Sequence, residues 1–375
     1  MNRETYLKKV KRIIIKVGTS NITNDSGRLD TGQLKNLVEQ IRELKDRRYE
    51  VLLVSSGAIA AGVEGLGLKK RPDTIPELQA AASVGQGLLL QEYINLFKEV
   101  NLKVGQVLVT QFDTTHRQQY LNARNTLEKL LQLGTIPIIN ENDTTAVDEI
   151  KFGDNDTLAA MVTTLIKGDL LVMLTVTEGL LTHDPSSGDR DKLLSQVEEI
   201  TPELEALAGG VGTKFGQGGM VTKLQAAKIV TFGQAAAIIA NGFEPRVLLD
   251  IVEGKPVGTF FVPRKKSVSS RKLWIAFGRI TSGTIFVDKG AKEALVSKGK
   301  SLLPAGITRC RGKFEPGDAV DIADTKGDTF AKGLANFSSE EINKIKGLKS
   351  ADVSSILSED ADEEVIHRDC LLILK

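Results

Sequence analysis

The sequence predicts an α/β protein: an open, mostly parallel sheet sandwiched by helices, followed by a small β-rich C-terminal barrel. Two observations carry this expectation. From residue 12 to about residue 263, strand-sized apolar runs alternate with helical patterns, as successive β-α-β units require. Beyond residue 263 the runs shorten and are separated by glycine turns, the pattern of a small β-rich unit.

The apolar runs at 13–17, 51–55, 104–110, 136–140, 170–175, 236–240 and 258–262 read as strands buried on both faces. Between the first two, Leu34, Leu37, Val38, Ile41 and Leu44 share one helical face, with Asp30 or Thr31 placed to cap it. In such a sheet, ligands lie at the carboxyl ends of the strands. The basic, Ser-rich stretch 264–272 reads as a linker between domains at 1–263 and 273–375. Residues 264–349 carry 18 basic and 9 acidic side chains, a net of +9, and 350–375 carry 2 and 7, a net of −5. The second domain is therefore basic, with an acidic tail segment.

With 375 residues, 41% hydrophobic and 26% charged, the chain has globular composition. Its 49 Lys and Arg balance 48 Asp and Glu, which excludes a field of one sign that would adsorb the molecule to membranes or nucleic acid. Cys310 and Cys370 cannot build a disulfide framework and fit a reducing, cytoplasmic setting. No leader pattern opens the chain, and no apolar run is long enough to cross a bilayer. His116, His183 and His367 are scattered, against a histidine metal site or a Ser-His-Asp triad.

Chemistry-bearing residues gather where strands are expected to end. Lys16 precedes Val17-Gly18-Thr19-Ser20, where a lysine meets a phosphate or merely snorkels to solvent. Ser55-Ser56-Gly57 opens a helix, so its hydroxyls bind an anion or cap that helix. Asn140-Glu141-Asn142-Asp143 and Gly153-Asp154-Asn155-Asp156 supply more polar groups than capping uses. A glycine loop, Gly216-Gln217-Gly218-Gly219-Met220, runs through Val221 and Thr222 to Lys223 at the start of a helix. It cradles phosphate oxygens or is a surface loop. Two lysines, clustered carboxylates and no histidine base suggest phosphoryl transfer, in which positioning and charge neutralisation supply most of the catalysis.

At these motifs, together with residues 112–126 and Arg271-Lys272-Leu273-Trp274-Ile275, the chain resembles the amino acid kinase family with a C-terminal PUA domain. The resemblance implies an amino acid kinase fold plus a PUA-like barrel. It implies ATP-dependent phosphorylation of the side-chain carboxylate of L-glutamate to γ-glutamyl phosphate, the first step of proline biosynthesis. Lys16 and Lys223 would neutralise the phosphates, Asp156 would hold the lysines, and Ser56, Asp143 and Asn155 would bind glutamate. Thr175, Val176 and the loop from Gln217 through Gly218, Gly219, Met220, Val221 and Thr222 would contact the nucleotide. Val176 stands where the family usually has Asp, and Gln217 where it usually has Thr. ATP and Mg2+ are implied as cofactors, and a homo-oligomer and feedback by proline as further properties. Another small carboxylate or carbamate as acceptor is the alternative, or an RNA-binding role for the C-terminal domain, against which stands its lack of interleaved aromatic residues.

Overall fold

Isoleucines and valines in unbroken runs fold here as the central strands of a sheet. In chain order the strands of the first part are β1 (Arg12–Val17), β2 (Glu50–Ser55), β3 (Val104–Val109), β4 (Ile136–Glu141), β5 (Leu170–Thr175), β6 (Leu181–Thr182), β7 (Lys192–Leu193), β8 (Gln196–Val197), β9 (Ala236–Asn241) and β10 (Thr259–Phe261). Eight of them form one sheet in the order β3-β4-β2-β1-β5-β9-β10-β8, while β6 pairs with β7 apart from it. Every pairing in the large sheet is parallel except β9 with β10. The computed structural model describes residues 2–110, 117–145, 155–182, 192–201, 203–205, 219–265, 272, 281–349, 352–353, 356–357 and 364–374. The chain divides into two units, 1–267 and 268–375.

Ile13, Ile14 and Ile15 are fully buried, each contributing about 1.5–3 kcal/mol relative to exposure. The expectation of strands buried on both faces fails at β3, most of whose residues are exposed or half-buried. The reason is position, because among the described residues β3 lies at the edge of the sheet and is paired on its β4 side alone.

Helices cover the sheet: α1 (Arg3–Leu7), α2 (Thr19–Ile22), α3 (Thr31–Asp46), α4 (Ala58–Gly65), α5 (Ile75–Glu99), α6 (Arg117–Gln132), α7 (Asn155–Leu165), α8 (Met220–Phe232) and α9 (Val247–Val252). The predicted face of α3 is the buried one, and Asp30 caps it by accepting from the Gln33 backbone N–H at 3.0 Å. At the amino ends of the strands, the Asp169 carboxylate accepts from the backbone N–H groups of Lys11 and Arg12 at 2.8 Å. Arg12 pairs there with Glu50 at 2.8 Å and Glu128 at 2.7 Å. These contacts tie down one end of the sheet and leave its carboxyl end for chemistry.

The second unit contains β11 (Gly283–Val287), α10 (Lys289–Lys298), β12 (Ile307–Gly312), β13 (Ala319–Ala323), β14 (Thr329–Leu334), α11 (Ser339–Ile345) and β15 (Leu371–Ile373). Its strands form a mixed sheet in the order β12-β11-β13-β14-β15 around an apolar core that includes Ile285, Phe314, Phe330 and Ile342. Residues 273–280, with Trp274, lie outside the described residues, as do 112–116, 153–154, His116, His183, Gln217 and Gly218. Among the described residues no helix is long and apolar enough to cross a membrane.

Candidate active site

The sheet order reverses beside β1. From β1 the chain passes to β2 on one side, whereas β5, on the other side, continues outward to β9. The carboxyl ends of β1 and β5 therefore flank a topological switch point, the place where open α/β sheets bind ligands.

Lys16 sits in β1 at that place, in register with Val54 and Met173. Its ammonium lies 2.7 Å from Asp156 Oδ1, and Lys223 Nζ lies 3.1 Å from Asp156 Oδ2. Thr222 donates its hydroxyl to the same Oδ2 at 2.7 Å. Both lysines and Asp156 are buried, the carboxylate completely. Burial alone would raise the Asp156 pKa, but Lys16 and Lys223 and the Thr222 hydroxyl outweigh it and hold the group below the usual carboxylate range. Asp156 stands in the first turn of α7 and Lys223 in the first turn of α8, and the two helices pack on each other. That packing joins motifs 67 residues apart in sequence. Gly219 caps α8 without a side-chain hydrogen bond, so the α8 end lacks a side-chain cap.

A second cluster adjoins the first through Asn155, the neighbour of Asp156. Asn155 Nδ2 donates to Ser56 Oγ and to Asn140 Oδ1, both at 2.9 Å. Asn140 in turn donates to Gln86 Oε1 at 2.7 Å. The alternative that the serines cap α4 does not hold: Gly57 is the N-cap, with no side-chain bond, at φ 107°, a left-handed conformation that favours glycine. Ser55 instead bonds the buried Tyr93 hydroxyl at 2.8 Å. Because Ser56 accepts from Asn155, its own O–H remains to donate. Asn155 Oδ1 is buried and has no hydrogen-bond partner among the described residues.

Asp143 lies half-buried in the turn after β4, three residues beyond Asn140. Thr175 ends β5, and its carbonyl accepts from the Gly242 backbone N–H at 2.8 Å and from Asn21 Nδ2 at 3.2 Å. Val176 is 54% exposed. Gly219, Met220, Val221 and Thr222 form the α8 entrance, whereas Gln217 and Gly218 lie outside the described residues. Sequence reasoning missed Gln86 and the part played by Asn140. The signal for Gln86 was Gly85-Gln86-Gly87, a helix interior with two glycines around one polar residue.

Comparison with known proteins identifies the family. Residues 11–241 match the amino acid kinase family and residues 283–357 match the PUA domain. The glutamate 5-kinase of Caldanaerobacter subterraneus subsp. tengcongensis is 48% identical over 97% of this chain and 98% of its own. Those of Syntrophus aciditrophicus and of Geobacter sp. strain M21 are each 46% identical, covering 100% and 99% of this chain and 97% and 100% of theirs. The chain belongs to the amino acid kinase family, in the branch of the glutamate 5-kinases.

Proposed function

We propose that the chain transfers the γ-phosphoryl group of ATP to the side-chain carboxylate of L-glutamate, giving γ-glutamyl phosphate and ADP at the head of proline biosynthesis. The observation that carries the reading is the pair of buried lysines gathered on Asp156 at the switch point. A kinase needs positive charge beside the moving phosphoryl group, held where water does not screen it. Asp156 holds both ammonium groups in place, and the open end of α8 adds backbone N–H donors for phosphate oxygens.

The acceptor needs no base. A glutamate side chain has an ordinary pKa of about 4.3 and is ionised at neutral pH. Its oxygen attacks the γ-phosphorus, the bond from phosphorus to the β,γ-bridging oxygen breaks, and that electron pair leaves with ADP. No proton moves. The zwitterionic end of the substrate matches the second cluster: Asn155 Oδ1 accepts from the ammonium, Ser56 donates to the α-carboxylate, and Asp143 adds negative charge for the ammonium. Among the described residues no group of three Asp, Glu, His or Cys side chains forms a metal cage. Magnesium arriving with ATP needs no such cage, because phosphate oxygens and water fill most of its coordination shell.

The test is hydroxylamine trapping of the acyl phosphate, run with glutamate, aspartate, N-acetylglutamate and carbamate. Hydroxamate is expected with ATP and glutamate. Its absence with glutamate, or its formation from another acid in preference, contradicts the reading.

A further inference from the structure

The Asn155 amide can face its partners in two ways, and only one leaves a carbonyl for an ammonium. What selects that orientation is the Ser55 carbonyl, which accepts from Asn155 Nδ2 at 3.5 Å, together with a chain of hydrogen bonds of fixed direction. The backbone N–H of Glu141 donates to the side chain of Asn140 at 2.9 Å, and a backbone N–H cannot accept. The Asn140 atom it meets is therefore the oxygen. It follows that Asn140 presents its NH2 to Gln86, which must answer with Oε1, at 2.7 Å. Asn155, meeting the same Asn140 oxygen at 2.9 Å, must present its NH2 there. The Asn155 oxygen is left turned away, buried and without a hydrogen-bond partner among the described residues.

We infer that Gln86 is a positioning residue for the amino-acid substrate: by accepting from Asn140 Nδ2 it holds in place the amide whose orientation the Glu141 N–H sets, and through it Asn155, whose Oδ1 is presented to the substrate ammonium. This deepens the proposed function and rests on it. Gln86 hydrogen-bonds Asn140 at the amino-acid end, and it stands where α4 and α5 pack closely at Gly62 and Gly85, directly beside it. Without an acceptor at position 86, the Asn140 NH2 loses its partner and the relay loses its anchor at the α5 end. Binding of the ammonium then weakens while phosphoryl transfer itself is untouched.

The experiment compares Gln86→Met, which keeps side-chain length without a strong acceptor, with Gln86→Glu, which keeps the acceptor. Steady-state hydroxamate kinetics of the full chain are read with glutamate and ATP each varied. Gln86→Met is expected to raise KM for glutamate about 5- to 10-fold, the worth of one hydrogen bond, with kcat and KM for ATP within about 2-fold of wild type. Gln86→Glu is expected to stay near the wild-type KM. An equal rise in both variants, no rise in Gln86→Met, or a fall in kcat and a rise in both KM values together would overturn the proposal. A wild type that makes no hydroxamate from glutamate overturns the functional reading instead, which keeps the two failures apart.

Discussion

Asp156 is the residue on which the phosphate end depends, since one carboxylate meets Lys16, Lys223 and Thr222. Removing a partner from such a buried cluster costs about 3–5 kcal/mol, because charges are left without compensation. Its folded pKa is lowered, so its contribution to stability is fully present above the ordinary unfolded value of about 3.9 and is lost as pH falls through the lower folded value. Urea unfolding of wild type and Asp156→Asn should therefore differ by the same amount at pH 7 and pH 5, and converge only below about pH 4. A gap that closes between pH 7 and pH 5 would show that Asp156 is not ionised with a lowered pKa. Residues of this kind were legible as types and positions: Lys16 and Lys223 stood beside glycines at element ends. That both reach the same carboxylate was not legible, because α7 and α8 meet only through tertiary packing.

Among the elements, α4 and α5 show how backbone proximity places a site. A Cβ on Gly62 would fall on the carbonyl of Ala81, and one on Gly85 would fall on the carbonyl of Ala58 and the backbone of Gly62. Backbone atoms cannot yield as a side chain does, so Gly85→Ala is expected to lose about 1–3 kcal/mol or more. Gly87, two residues along the same helix, faces open space, and Gly87→Ala should gain roughly 0.5–1 kcal/mol through helix propensity. Chemical denaturation of both variants checks the contrast, and a stable Gly85→Ala protein would mean that the helices are not so closely packed. The strands were readable because their apolar runs have the length and composition of buried strands, and β1, β2, β4 and β5 run close to their predicted bounds. Less readable were β15, with only three residues, and the exposure of β3, since an edge position is a property of strand order and leaves little mark on local sequence.

At the scale of the whole molecule, every described residue assigned to ATP or glutamate lies in the unit 1–267. The kinase chemistry proposed for it is carried by charge and position, with no proton transfer to or from the protein. Sequence motifs and their order were enough to indicate the family, whereas the direction of the amide relay is set by backbone groups, the Glu141 N–H and the Ser55 carbonyl, and leaves no mark on the sequence. The most direct test of the two-lysine account is the kcat and KM of Lys16→Ala and Lys223→Ala for glutamate-dependent hydroxamate formation, each variant first shown to be folded. The account predicts that kcat falls about 100- to 1000-fold in each, as for the loss of a donor to transition-state charge, with a much smaller change in KM for glutamate. Near-normal kcat in either folded variant would contradict it.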